Sequence, residues 1–159
     1  MLSLVHPSVD RYDAWIAAHR EWGPGLHEDG FGIGEDDRVD SEVGFAAWIS
    51  KLRQGPGDLW WIVEDGVVLG GIALRAPDDP RAARHGHVGY GVRPSARGRG
   101  VASWALAQVV DLARDAGRQS IALVCLSDNV ASIRTIERCG GTLEKVLDDG
   151  RAQRFVIRL

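Results

Sequence analysis

Cysteine is scarce in this chain of 159 residues, which carries only Cys125 and Cys139. Neither belongs to a Cys-x-x-Cys pair or lies beside a His at metal-ligand spacing, which excludes a disulfide framework and a thiolate metal centre and leaves no metal to be expected. Both read as packing thiols, the usual fate of a free cysteine. Long apolar runs are missing too. None approaches the roughly 20 residues a bilayer-spanning helix needs, and Met1 to Val9 lacks a secretory leader's design, so a cytoplasmic protein with no membrane partner is expected. Positive charge is not in excess: the formal net charge is −3, and a nucleic-acid partner, which calls for a basic face, is not expected. Repeats and low-complexity segments are absent. The length suits one domain over residues 1–159 with a core of its own. Two phosphate-binding fingerprints are lacking as well, Gly-x-Gly-x-x-Gly and the P-loop's Gly-Lys-Ser/Thr ending.

What is present is organised by period and punctuation. Leu2 to Val5 reads as a strand, and Ser8 can cap a helix running to Trp22 with Tyr12, Trp15, Ile16 and His19 on one face. A second helix starts near Asp40 or Ser41, its apolar face made by Phe45, Trp48, Ile49 and Leu52, and Gln54-Gly55-Pro56-Gly57 stops it. Leu59 to Glu64 and Val67 to Arg75 are apolar runs joined by Asp65-Gly66, a pair suited to a type I′ hairpin turn. Ala76 to Gly86 reads as a polar loop leading to a strand over His87 to Val92. Residues 101, 105, 109, 112, 113 and 116 give an apolar helical stripe, capped at Gly117. Ile121 to Leu126 is a buried strand and Ser127 to Gly141 a capped helix. Leu143 to Leu147 and Ala152 to Leu159 then flank a second turn at Asp149-Gly150. A helix joining two buried strands implies a crossover connection. The order β-α-α-β-β-β-α-β-α-β-β makes a mixed α/β fold of about seven strands and about four helices.

The segment richest in chemistry is Val92-Arg93-Pro94-Ser95-Ala96-Arg97-Gly98-Arg99-Gly100-Val101-Ala102. It joins a strand to a helix through a basic, glycine-punctuated turn. The first N–H groups of a helix lack intrahelical partners, and the macrodipole adds roughly half a positive charge there, so an anion is stabilised. Gly98 and Gly100 remove Cβ atoms where a phosphate must approach backbone, and Arg97 and Arg99 add charge-assisted donors. A phosphorylated ligand is the natural occupant. Read as Arg/Gln-x-x-Gly-x-Gly/Ala through Arg97, Gly100 and Ala102, with Val92 and Pro94 closing the strand before it, this turn resembles the acyl-CoA-binding turn of the GNAT superfamily of N-acetyltransferases.

The resemblance covers most of the chain and is weakest from Leu26 to Val39. It implies a central twisted mixed sheet whose strands splay after the central hairpin to admit acetyl-CoA, the co-substrate. It also implies an N-acetyltransferase acting by direct attack of a primary amine in a ternary complex. Val92, Arg97, Gly98, Arg99, Gly100, Val101 and Ala102 would hold the diphosphate and pantetheine. Asn129 matches the Asn that orients the pantetheine arm, and Ser132, one turn on, could bond the arm or a water.

Two catalytic positions depart from the family's pattern. Eight residues before the strand-ending Pro, where a Glu or His acts as base through water, stands Gly86, flanked by His85 and His87. His87 is the first candidate base because imidazole titrates near neutral pH. The competing reading makes it a structural strand residue on the face opposite 86, 88, 90 and 92. Glu28 and Asp29 are alternative bases. The Tyr expected seven residues after Asn129 as general acid is replaced by Ile136, leaving the Tyr90 hydroxyl or solvent to protonate the thiolate; the competing reading of Tyr90 is a ring that packs in the core. Between Glu28 and Glu42 lie seven acids (Glu28, Asp29, Glu35, Asp36, Asp37, Asp40, Glu42) against Arg38 alone, so positive charge dominates elsewhere. That asymmetry suits a small cationic amine such as an amino sugar antibiotic, or serves solubility alone. Trp22, beside this stretch, is the candidate for a substrate wall. A CoA-binding regulatory module without turnover, an acetyltransferase for protein or peptide amines, and a homodimer all stay open at this point.

Overall fold

The computed structural model describes residues 1–23 and 31–159. Among the described residues seven strands and five helices are formed: β1 Leu2–Val5, α1 Tyr12–Glu21, α2 Glu42–Gln54, β2 Asp58–Glu64, β3 Val67–Leu74, α3 Ala82–His85, β4 Val88–Val92, α4 Val101–Asp115, β5 Ser120–Leu126, α5 Val130–Arg138, β6 Gly141–Leu147 and β7 Ala152–Arg158. They fall into two compact units, residues 1–73 with 90–101 and residues 74–89 with 102–159. The strands form two sheets, ordered β1-β2-β3-β4 and β5-β7-β6.

In the first unit β1 lies antiparallel to β2, with Leu2 opposite Glu64 and Val5 opposite Trp61. The β2–β3 turn takes its expected form. Asp65 and Gly66 both adopt positive φ, 50° and 83°, the backbone a type I′ turn demands. The Ser8 side chain caps a 3₁₀ turn over Val9–Arg11 that runs into α1. Ser41 caps α2 by accepting the Gly44 N–H at 3.1 Å. Both helices turn aromatic faces inward: Trp15 sits 4.8 Å from Trp48, 5.1 Å from Phe45 and 6.3 Å from Trp61 between ring centroids. Tilted and stacked rings at such spacing add specific attraction to the area they bury.

In the second unit β7 is central, antiparallel to β5 and to β6, with a bulge between Leu143 and Lys145. The buried stripe of α4 is Val101, Ala105, Leu106, Val109, Val110 and Ala113. Leu112, expected on that face, is exposed because it lies at the edge of the arc, and Ala116 falls beyond the helix end. Asn129 caps α5 by accepting the Ser132 N–H at 3.1 Å. The short helix α3 arises inside the stretch expected to be loop. Four residues carry no readable period, and tertiary contacts hold them: Arg154 Nη1 donates to the carbonyls of Ala82 and Ala83 at 2.7 and 3.1 Å.

Candidate active site

The turn between β4 and α4 has the backbone that its glycines allow. Gly98 and Gly100 adopt φ of +74° and +77°, and a Cβ built on either would meet no heavy atom within 4 Å. These glycines are thus required by conformation while the space beside them stays open, which leaves backbone free to touch a ligand. The helix beginning at Val101 leaves its first N–H groups without intrahelical acceptors. Residues 94–96 form a 3₁₀ turn in which Arg97 N–H donates to the Pro94 carbonyl at 3.3 Å. Arg97 Nε donates to the Val92 carbonyl at 2.9 Å, so the strand end fixes the root of this guanidinium. Arg99 Nη2 lies 2.5 Å from Glu64 Oε2. Half-exposed pairs of this kind contribute at most about 1 kcal/mol, so exchanging the carboxylate for a phosphate costs little. An acyl-CoA diphosphate, doubly anionic and rich in acceptors, fits this donor set.

One residue of this neighbourhood gave no signal in the sequence. Glu21, the last residue of α1, accepts three hydrogen bonds: from Ser95 N–H at 2.6 Å, from Ser95 Oγ at 3.1 Å and from Arg93 Nε. Its carboxyl is held below its ordinary pKa, first by the Ser95 N–H; burial opposes this as the next-largest influence, and the Ser95 hydroxyl and Arg93 lower it further. Arg93, Ser95 and Arg99 also line an open cleft of about 380 Å³ with Glu64, Val67 and Leu69.

His87 lies just before β4, half-buried, and both of its polar faces are occupied. Nδ1 accepts the Ala122 N–H at 3.0 Å, the His87 N–H donates to the Ala122 carbonyl at 2.6 Å, and the Pro77 carbonyl faces the ring as acceptor. Burial lowers its pKa, the Pro77 contact opposes this, and Arg118, Arg154 and Arg75 lower it further. In this arrangement the side chain replaces a carbonyl as acceptor opposite β5, the geometry that the competing strand reading of His87 describes. Gly86 beside it adopts φ of +75° and pairs with Leu123 in a single antiparallel bridge.

Glu28 and Asp29 lie outside the described residues. Tyr90 is within β4, partly buried. Val92 is buried, and Val101 and Ala102 open α4. Asn129 Oδ1 is engaged in its cap, and Ser132 supplies the N–H it receives. Trp22, the residue after α1, packs edge-on to Phe31 at 5.4 Å. Within the acidic stretch Asp37 is committed locally, accepting the Gly34 N–H at 2.7 Å and pairing with Lys51 at 2.9 Å, whereas Glu35, Asp36 and Asp40 are exposed. Cys125 and Cys139 form no disulfide among the described residues, and Cys139 Sγ donates to the Ser103 carbonyl at 3.5 Å. Among the described residues no helix is long and apolar enough to cross a membrane, and no group of three His, Cys, Asp or Glu side chains is placed to hold a metal.

Residues 14–141 match the acetyltransferase (GNAT) family. The chain belongs to that family. Solved structures share the fold of this GNAT chain at low identity. The microcin C7 self-immunity acetyltransferase MccE, in complex with acetyl-CoA and AMP, is 17% identical over 99% of this chain and 92% of its own, with a TM-score of 0.74. The yncA protein of Salmonella typhimurium, with its cofactor acetyl-CoA, is 19% identical over 99% and 94%, with a TM-score of 0.64. RimL, a ribosomal L7/L12 alpha-N-protein acetyltransferase in complex with coenzyme A, is 16% identical over 99% and 94%, with a TM-score of 0.74. A search among curated proteins finds no significant relative.

Proposed function

We propose that this GNAT acetyltransferase moves the acetyl group of acetyl-CoA to the primary amine of a small cationic acceptor. The observation that carries the donor half is the turn at 97–102, where two positive-φ glycines with open space beside them precede a helix N-terminus. Its backbone N–H groups and the guanidinium groups of Arg97 and Arg99 bind the diphosphate, and the family resemblance gives Asn129 and Ser132 the pantetheine arm. Acetyl-CoA supplies an activated thioester. The amine nitrogen forms a bond to the carbonyl carbon as the carbon–sulfur bond breaks; the nitrogen then loses a proton and the thiolate gains one. Holding two reactants in line can by itself lower the barrier by about 7 to 11 kcal/mol, so the weight of catalysis falls on positioning.

With His87 taken into the backbone pairing, the amine's proton passes to solvent or to Glu28 or Asp29. The Tyr90 hydroxyl is the donor proposed for the thiolate. Glu35, Asp36 and Asp40, all exposed, support the cationic acceptor through their field. The relation in fold to an acetyltransferase for a protein α-amine keeps peptide amines as the second class to try.

The test is free-CoA release from acetyl-CoA across amino sugars, polyamines and peptides. Release with a cationic small amine supports the proposal; release with peptides alone replaces the acceptor. Arg97→Ala and Gly100→Asp are expected to weaken acetyl-CoA binding at least tenfold, and unchanged binding in both would remove the turn from the donor site. Tyr90→Phe is expected to lower kcat with acetyl-CoA affinity intact; an unaltered kcat leaves thiolate protonation to solvent.

A further inference from the structure

A carboxylate on the last residue of a helix faces the negative end of the macrodipole, an unfavourable place for it. Glu21 stands there at the end of α1, in a last turn that also carries His19 and Arg20. Its hydrogen-bond partners come from 72 to 74 residues away, where Arg93 Nε, the Ser95 N–H and the Ser95 hydroxyl converge on the two carboxylate oxygens. Charge-assisted bonds of this kind are about twice as strong as neutral ones. The carboxylate is only 24% exposed and its Arg93 partner 16%, so solvent screens them incompletely.

Arg93 is fixed on its other side as well. Its N–H donates to the Leu69 carbonyl at 2.7 Å and its Nη1 to the Val68 carbonyl at 3.2 Å. Residues 93–96 are therefore clamped between the end of α1 and the edge of β3. The next residues are Arg97 to Gly100, in which Gly98 and Gly100 have open space beside them. A turn that must present several N–H groups to one anion needs its root held.

We infer that Glu21 is a positioning residue for the donor site: through Arg93 and Ser95 it sets the entry of the 97–100 turn and so the direction of the N–H groups that receive the diphosphate. The inference rests on the proposed role of that turn. Glu21 itself touches no substrate.

S-acetylpantetheine, which carries the thioester and arm but no diphosphate, separates the two roles. Dissociation constants for acetyl-CoA and S-acetylpantetheine are compared by calorimetry in the parent protein, Glu21→Gln and Ser95→Ala, with melting temperatures alongside. Glu21→Gln is expected to weaken acetyl-CoA about tenfold and leave S-acetylpantetheine within twofold, and Ser95→Ala, which removes the hydroxyl donor alone, is expected to give a smaller loss in the same pattern. Equal losses for both donors would make Glu21 a plain structural residue and overturn the inference, as would unchanged acetyl-CoA binding in both variants. Should Glu21→Gln fail to fold, Ser95→Ala decides by the same criterion. Equal affinity of the parent protein for the two donors would instead bring down the diphosphate role of the turn, and this inference with it.

Discussion

His87 carries a ring whose Nδ1 already receives the Ala122 N–H. Its replacement by Ala leaves that buried N–H unpaired, at a cost of about 1–3 kcal/mol. The expected outcome is a lower melting temperature and a pH–rate profile of unchanged shape; loss of a limb near neutrality would restore the catalytic base. The sign of the pH effect follows from the same environment. Burial, with Arg118, Arg154 and Arg75, favours the neutral ring in the folded protein, so the unfolded chain, with its ordinary value of about 6.5, takes up a proton first. The ring's contribution to stability is complete above about pH 6.5 and declines as pH falls through the lowered folded-state value. Denaturant titrations from pH 8 to 5 in the parent protein and the His87→Ala variant would show the decline in the parent alone. Strand parity already held this alternative, since it put His87 opposite 86, 88, 90 and 92. Glu21 offered no such warning, because its partners lie far along the chain and only its awkward place at a helix end marks it.

Glycines separate the structural from the functional turn at the scale of elements. A Cβ on Gly70 in β3 would lie 2.0 Å from the Gly91 carbonyl oxygen, whereas one on Gly98 would meet nothing. Gly70→Ala is therefore expected to destabilise by about 1–3 kcal/mol through overpacking. Gly98→Ala is expected to cost about 1–2 kcal/mol, from backbone conformation alone. Thermal melts with acetyl-CoA titrations check the pair: weakened binding belongs to the Gly98 variant, and equal binding in both would place that glycine outside the donor site. The turn was legible because glycine and arginine state their conformational and electrostatic roles locally. So was the start of α2, written in Ser41. The pairing just before β4 was not: the Gly86–Leu123 bridge and the ring of His87 standing in for a carbonyl are details that no period in the sequence records. Helix α3 escaped for a related reason, being held by Arg154 from β7.

Charge is distributed over the whole molecule rather than by residue. The acidic stretch was visible as composition, but which of its members are available was not, because Asp37 is spent on Gly34 and Lys51. Neutralising Glu35 and Asp36 together is expected to raise KM for a cationic acceptor several-fold at low salt. The difference should shrink toward physiological ionic strength as screening sets in. Equal KM values for the parent protein and the variant at low salt would reduce the stretch to a solubility feature.

Five of the six tryptophans, Trp15, Trp22, Trp48, Trp60 and Trp61, belong to the first unit, and Trp104 alone to the second. The close-set rings of Trp15, Trp48 and Trp61 make one emitting assembly of that core. Fluorescence will therefore report the melting of one part of this protein and be nearly blind to the other. A Trp104→Phe variant would make the signal wholly that of the α1–α2 unit, and a mismatch with the loss of backbone circular dichroism would then measure how independently the two units come apart.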